Sequence, residues 1–265
     1  MHMKPHLLTV LRVIRLTKNW PLYFLNRLGL LHAPRITFRL RNGLTVICRP
    51  FPIDRAPLYD VWLEQGYEPS HFGIPFDWSA CNTILDIGAN IGMFTLFAAS
   101  RAPHAHLYSF EPDTGNFEVL IENIRTNDLE SRVTLVRRAV AGATQELKMF
   151  FRTDDPGGHS IYHYTDESKE AIVPALSLDD VFKTYGLASC DYLKVDCEGA
   201  EYDILYNTSS EVLKKIRCIA LEYHHFSNDP KNQPTVLVDY LRSHGFIIFP
   251  SKKSMCFAMR PSTHS

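Results

Sequence analysis

From Thr83 onward the chain alternates short apolar runs with stretches of helical periodicity, and this constrains its fold more than any other feature. TILDI, a helix after Gly92, HLYSF, a helix over 114–126, RVTLV, then DYLKVD, a further helix and RCIALEY follow one another in order. Apolar runs of four or five residues joined through helices make a parallel sheet covered by helices on both faces. Residues 145–152 and 171–176 add extra strands around the loop Asp154–Ser160. The runs FIIFP and MCFAM, separated by Ser251–Ser254, predict a closing antiparallel hairpin. No internal repeat and no clear linker divides this region.

What precedes it differs in kind. Residues 1–53 hold nine Lys or Arg (Lys4, Arg12, Arg15, Lys18, Arg27, Arg35, Arg39, Arg41, Arg49) and no Asp or Glu, in a chain with 28 basic and 29 acidic residues overall. The remainder therefore carries 19 − 29 = −10. LLTVLRVIRL over 7–16 predicts a short basic amphipathic helix with Leu7, Val10, Leu11 and Ile14 at helical spacing. RITFRLRNGLTVICR alternates about Asn42–Gly43, the signature of a hairpin with a two-residue turn. Residues 56–67 look helical. These features set a boundary near residue 75: an appendage over 1–75 and a main domain over 76–265. The basic segment meets something anionic, either the acidic body of the chain itself or a membrane surface in peripheral contact with residues 1–53.

Six cysteines at irregular spacing, without a C-x-x-C pair, predict buried thiols in a reducing compartment. With no membrane-length apolar run and no cleavage-site pattern after the first one, the expected location is cytoplasmic.

Asp86-Ile87-Gly88-Ala89-Asn90-Ile91-Gly92 ends a strand and opens a helix. Glycines there allow a close backbone approach to a ligand, with Gly88 the position where a side chain would collide with it. The spacing D-x-G-x-N-x-G is not the G-x-G-x-x-G of dinucleotide binders, which argues against a nicotinamide-dependent oxidoreductase. An acidic Asp86 repels a phosphate and attracts an ammonium, favouring a cofactor with a cationic amino acid end. Twenty-five residues later, Glu111 follows the next strand, placed to accept hydrogen bonds from ribose hydroxyls.

ILDIGANIGMFTLFAA, FEPDTGNFEVLIENI, LSLDDV, DYLKVDCEGAE and IALEYH, in this order over roughly 83–225, resemble the FkbM-type methyltransferases. The resemblance implies a Rossmann-like class I methyltransferase fold with a mostly parallel seven-stranded sheet, and S-adenosyl-L-methionine as cofactor. It implies that Asp86, Gly88, Asn90 and Gly92 line the methionine part, that Glu111 binds the ribose, and that Ala139 sits beside the adenine. Plain packing explains Ala139 equally. It also matches Asp196 and Glu198 to the family's D-x-E-G and Glu222 and His224 to its I-E-x-H, His225 being an extra histidine with no assigned role.

Transfer to a hydroxyl, which the resemblance favours, requires a general base or a metal; Asp196, Glu198, Glu222 and His224 are the candidates and His224 the first choice for base. The acceptor expected is a small molecule, sugar or glycan, including lipid-linked glycans and polyketide-type scaffolds. Nucleic acid is not expected, because no N-P-P-Y-like tetrapeptide or large basic domain is present. Glu201 reads equally well as a helix-start residue, and Asp179 and Asp180 after Ser177 read as a helix N-terminus. The carboxylates and His224 could also ring a divalent metal, a minority reading. The paired glycines of PGGHSIYHY, with His159, Ser160, Tyr162 and Tyr164, suggest a loop over the substrate or a surface turn. A cofactor-binding or membrane-docking module without turnover is the alternative from another class.

Overall fold

The computed structural model describes residues 7–54, 58–152, 168–224, 229–250 and 254–261. The loop Asp154–Ser160, Tyr162, Tyr164, His225 and most of the 251–254 turn lie outside them. In chain order the elements are α1 (Leu7–Leu16), α2 (Pro21–Arg27), β1 (Ile36–Arg39), β2 (Thr45–Cys48), β3 (Thr83–Ile87), α3 (Met93–Arg101), β4 (His106–Phe110), α4 (Thr114–Thr126) and β5 (Val133–Val136). There follow β6 (Ala139–Ala141), β7 (Gln145–Arg152), β8 (Ser168–Ser177), α5 (Leu178–Thr184), β9 (Tyr192–Val195), α6 (Glu201–Asn207), α7 (Ser210–Lys214), β10 (Cys218–Glu222), α8 (Pro234–Ser243), β11 (Ile247–Pro250) and β12 (Met255–Met259).

Seven strands form the main sheet in the order β11-β12-β10-β9-β3-β4-β5. Pairs from β10 to β5 are parallel, and β12 runs antiparallel between β10 and β11. The expected Rossmann-like sheet is therefore present, with the closing hairpin inserting its second strand inside the edge. Alternate residues of the central strands enter opposite cores: Ile84, Leu107 and Tyr192 pack into one, Leu85, Phe110 and Leu193 into the other. Burial on both faces is why these strands read as unbroken apolar runs rather than alternating ones. The predicted extra strands pair as a separate sheet, β6-β8-β7. Ser177 caps α5 by accepting from the Asp180 amide at 3.1 Å, as its sequence context predicts.

Residues 7–54 share the core of the sheet, since Val13, Tyr23, Phe38 and Val46 belong to the same apolar cluster as Ile84 and Leu120. Asn123 of α4 and Asn127 at its C-cap bind the backbone of β2 at Ile47 and Thr45, extending its hydrogen bonding into the main domain. Three expectations change here. The β1–β2 loop has three residues, because Leu40 N–H donates to Leu44 O and of its non-terminal residues only Gly43 (φ +98) is left-handed; a tighter two-residue turn would need Asn42 left-handed too. Of the helix expected over 56–67, the described residues from Leu58 on form one wide turn at Tyr59–Leu63, with Glu64 N–H donating to Tyr59 O, ended where Gln65 turns left-handed (φ +51). On α1, Val13 rather than Leu11 is the buried anchor, so the helix is rotated from the expected face. The pattern did not predict α2.

All six cysteines are unbonded, five buried and Cys197 half-buried. Among the described residues no helix is long and apolar enough to cross a membrane.

Candidate active site

Ligands of open parallel sheets collect at the carboxyl ends of the strands, and the chemistry-bearing residues of this chain lie at those of β3, β4, β9 and β10. The turn after β3 passes directly over the exit of β9. A Cβ on Gly88 (φ +77) would stand 1.9 Å from the Asp196 carbonyl oxygen, so the collision anticipated with a ligand is met first by the chain itself. Gly92 (φ +88) opens α3, and a Cβ there would stand 2.6 Å from Leu120. Asn90 is also left-handed (φ +51) and its amide donates to Glu111 Oε2 at 2.8 Å.

Glu111 is 5 % exposed, and burial raises its carboxyl to about 7 against the lowering effect of amide bonds from Asp113 and Asn90. Each of its oxygens accepts one amide, Oε1 from Asp113 at 2.9 Å and Oε2 from Asn90. The Asn116 side chain bonds to it as well, so of the roughly four acceptor sites of a carboxylate about one remains for a ligand hydroxyl. This arrangement fits the ribose of the implied cofactor. Ala139 packs with Ala141, Met149, Val173 and Ala175, which accounts for its small size without a ligand.

Asp86 has no exposed surface. Its Oδ2 accepts from Thr95 Oγ1 at 2.6 Å, and its Oδ1 faces Lys194 Nζ at 3.4 Å. Burial raises the Asp86 carboxyl, with Lys194 opposing. The ammonium attracted by Asp86 in this structure is thus an internal one. Lys194 also lies 3.4 Å from Asp196 Oδ2 and donates to Gly88 O at 2.7 Å, tying the glycine turn to β9. Burial lowers its pKa, but Asp196 and Asp86 more than reverse this and hold it charged. Sequence reasoning missed Lys194, although it left a signal: a lysine in the middle of a strand buried on both faces needs a buried counter-charge. Asp86, its register partner on β3, supplies it.

Asp196, Glu198, Glu222 and His224 do come together. Tyr67 joins them from outside the expected set, its hydroxyl 2.8 Å from Asp196 Oδ2 and 3.1 Å from Glu222 Oε2. One hydroxyl donates one proton, so it bridges both ionised carboxylates only in turn, unless Glu222 is protonated and donates to it. Burial, then the Asp196 charge, raises the Glu222 carboxyl to about 7, where it exchanges that proton near neutrality. Burial acts on Asp196 as well, yet Lys194, His224 and the Tyr67 bond together hold it below the usual carboxylate range. Nothing in the sequence around Tyr67 marks it.

His224 is positioned by Glu201, the first residue of α6, which is wholly buried. Its Oε1 accepts a hydrogen bond from His224 Nδ1 at 2.9 Å, and its oxygens also accept from the Cys197 and Gly199 amides. The helix-start reading of Glu201 is thereby joined to a positioning role. Glu198 (φ +52) faces His224 Nε2 at 3.7 Å, and burial raises its carboxyl to about 8. Burial lowers the His224 ring, but the hydrogen bond and charge of Glu201, followed by Glu198 and Asp196, lift it to about 9. Asp196, Glu201 and His224 offer ligand atoms within 4.8 Å of one another, though a cation there would compete with the amides already bound to Glu201.

The model of the methyltransferase FkbM domain matches residues 86–248. The chain is similar to 31-O-demethyl-FK506 methyltransferase FkbM of Streptomyces tacrolimicus, at 27% identity over 80% of this chain and 89% of that one. It is 27% identical to AMB antimetabolite synthetase AmbE of Pseudomonas aeruginosa over 76% of this chain but 11% of AmbE, and 27% identical to methyltransferase sdnD of Sordaria araneosa over 52% of this chain and 65% of sdnD. The chain therefore spans a small part of the first of these two relatives and less than two thirds of the second.

Proposed function

The chain belongs to the FkbM methyltransferase family, and from that premise we propose that it transfers a methyl group from S-adenosylmethionine to a hydroxyl oxygen of a small molecule, sugar or glycan. When bound, the cofactor supplies the methyl as an electrophilic substituent of a sulfonium. Glu111 would hold the ribose through its remaining acceptor capacity, and the Gly88–Gly92 turn would enclose the amino acid end. Asp86 acts at one remove, by fixing Lys194 against the turn.

The proton-handling cluster carries the choice of oxygen over nitrogen. A neutral amine needs no base, whereas a hydroxyl must lose its proton as its oxygen attacks the methyl carbon. Glu222, titrating near 7 and joined through Tyr67 to the ionised Asp196, is matched to that task. His224, at about 9, starts as a cation at neutral pH and cannot accept the proton. Its part is to balance the surrounding carboxylates, so the base role passes from the first choice to Glu222. The similarity to a relative named for a 31-O-demethyl substrate supports an oxygen acceptor.

Titration calorimetry with S-adenosylhomocysteine and with NADH tests the cofactor: binding of the former that weakens at least tenfold in Glu111→Ala, and no NADH signal, is expected. A hydroxyl-bearing acceptor panel, followed by homocysteine-analogue release, tests the chemistry. Turnover with amines alone, or full kcat in Glu222→Gln with a hydroxyl acceptor, would refute it.

A further inference from the structure

Among the described residues, eight of the eleven large hydrophobic side chains left exposed lie between Leu8 and Ile53, the same stretch that holds no acidic residue. They are not scattered. On α1 the outward stripe is Leu8 (69 % exposed), Leu11 (42 %), Arg12 and Arg15, at the i, i+3, i+4, i+7 spacing of one helix face, while Val13 faces the core. On α2, Leu25 and the following Leu28 (70 % exposed) repeat the pattern. Phe51, 40 % exposed, continues it: its amide donates to Asn26 Oδ1 at 2.8 Å, and its ring comes within 3.7 Å of a Cβ placed on Gly29.

Some of the basic residues serve the chain's own body. Arg12 pairs with Glu64, Arg35 with Glu122 and Arg49 with Asp54, and Arg41 donates to the Ile14 carbonyl. Arg15, Lys18 and Arg39 instead present exposed side chains. The latter two are neighbours, because Lys18 N–H donates to Arg39 O at 2.7 Å. Self-docking thus accounts for part of the early charge and leaves Arg15 on the leucine face of α1, with Lys18 and Arg39 exposed just past the end of that helix.

We propose that the outward faces of α1 and α2, with Phe51, dock the protein on the anionic headgroup layer of a phospholipid bilayer. The leucines enter the acyl boundary, and Arg15, Lys18 and Arg39 meet the lipid charges. A second copy of the chain fits less well, because a two-fold contact sets the same patch against itself and brings like charges together. The leucine content separates the surface from a nucleic-acid face, where cations alone would suffice.

The test is flotation of the full chain with phosphatidylcholine vesicles prepared with and without phosphatidylglycerol, at low and high salt. Binding should require phosphatidylglycerol and fall with salt. It should weaken about 25-fold in Arg15→Gln/Lys18→Gln, at about fivefold per cation removed, and also fall in Leu8→Ser/Leu28→Ser. These side chains are exposed, so the variants should keep the wild-type melting temperature, which circular dichroism checks. Absence of binding to anionic vesicles, or binding unchanged in both variants, would overturn the proposal. So would a dimer in light scattering that Leu8→Ser/Leu28→Ser converts to monomer without any vesicle binding, which would assign the surface to a second copy.

Discussion

Replacing Lys194 with methionine keeps most of the side-chain volume and removes one charge from a place that has no access to water. Lys194 is 4 % exposed and Asp86 wholly buried, so the variant leaves Asp86 with Thr95 as its remaining side-chain donor. Breaking a buried pair on one side costs about 3–5 kcal/mol, because the orphaned charge keeps its desolvation penalty. At about 2–4 °C per kcal/mol for a chain near this size, the melting temperature should fall by roughly 6–20 °C at neutral pH. The pH dependence has a definite sign. Burial already places the Asp86 carboxyl above its ordinary value, and loss of the ammonium raises it further. A raised carboxyl costs stability once pH exceeds its unfolded value, so the deficit is full at neutral pH and shrinks as acid protonates Asp86. Asp196, held low mainly by Lys194 against burial, contributes a deficit that likewise closes in acid. Thermal melts followed by circular dichroism across this range measure both limbs, and Asp86→Asn added to Lys194→Met should recover part of the loss. A drop under about 1 kcal/mol, below the usual cost of an unpaired buried group, or a deficit independent of pH with no recovery in the double variant, would refute the pairing of Asp86 with an internal ammonium.

Gly88→Ala should be more damaging than its size suggests, since the added methyl meets a backbone carbonyl at 1.9 Å and the residue sits at φ +77; little soluble folded protein is expected, and a wild-type melt would show that the turn can shift. In Glu201→Gln the His224 ring should titrate well below its wild-type value of about 9, because the bond and charge of Glu201 are the leading causes that raise it. Proton NMR of the imidazole reads this directly, and an unchanged titration would remove Glu201 from the positioning role.

Local pattern made much of this protein legible. The alternation from Thr83 determined a parallel sheet because strands buried on both faces must be apolar throughout, and Ser177 announced α5 because a helix start needs side-chain acceptors. Glu111 could be read because a carboxylate directly after the second strand has its position set by a few neighbouring residues. The same locality sets the boundary of what could be read. Tyr67 reaches Asp196 across 129 residues and Glu222 across 155, and no periodicity near a tyrosine in an irregular segment records such a partner. The sheet's register, not its composition, turns Asp86 towards Lys194, and the depth of α6 under His224 makes Glu201 a buried anchor instead of a surface helix cap. Sequence alone determined the alternating strands and helices of the main sheet and which carboxylates gather at the strand ends. Only the tertiary structure decided which of them hold protons, because that depends on burial and on charges brought together from segments far apart in the chain.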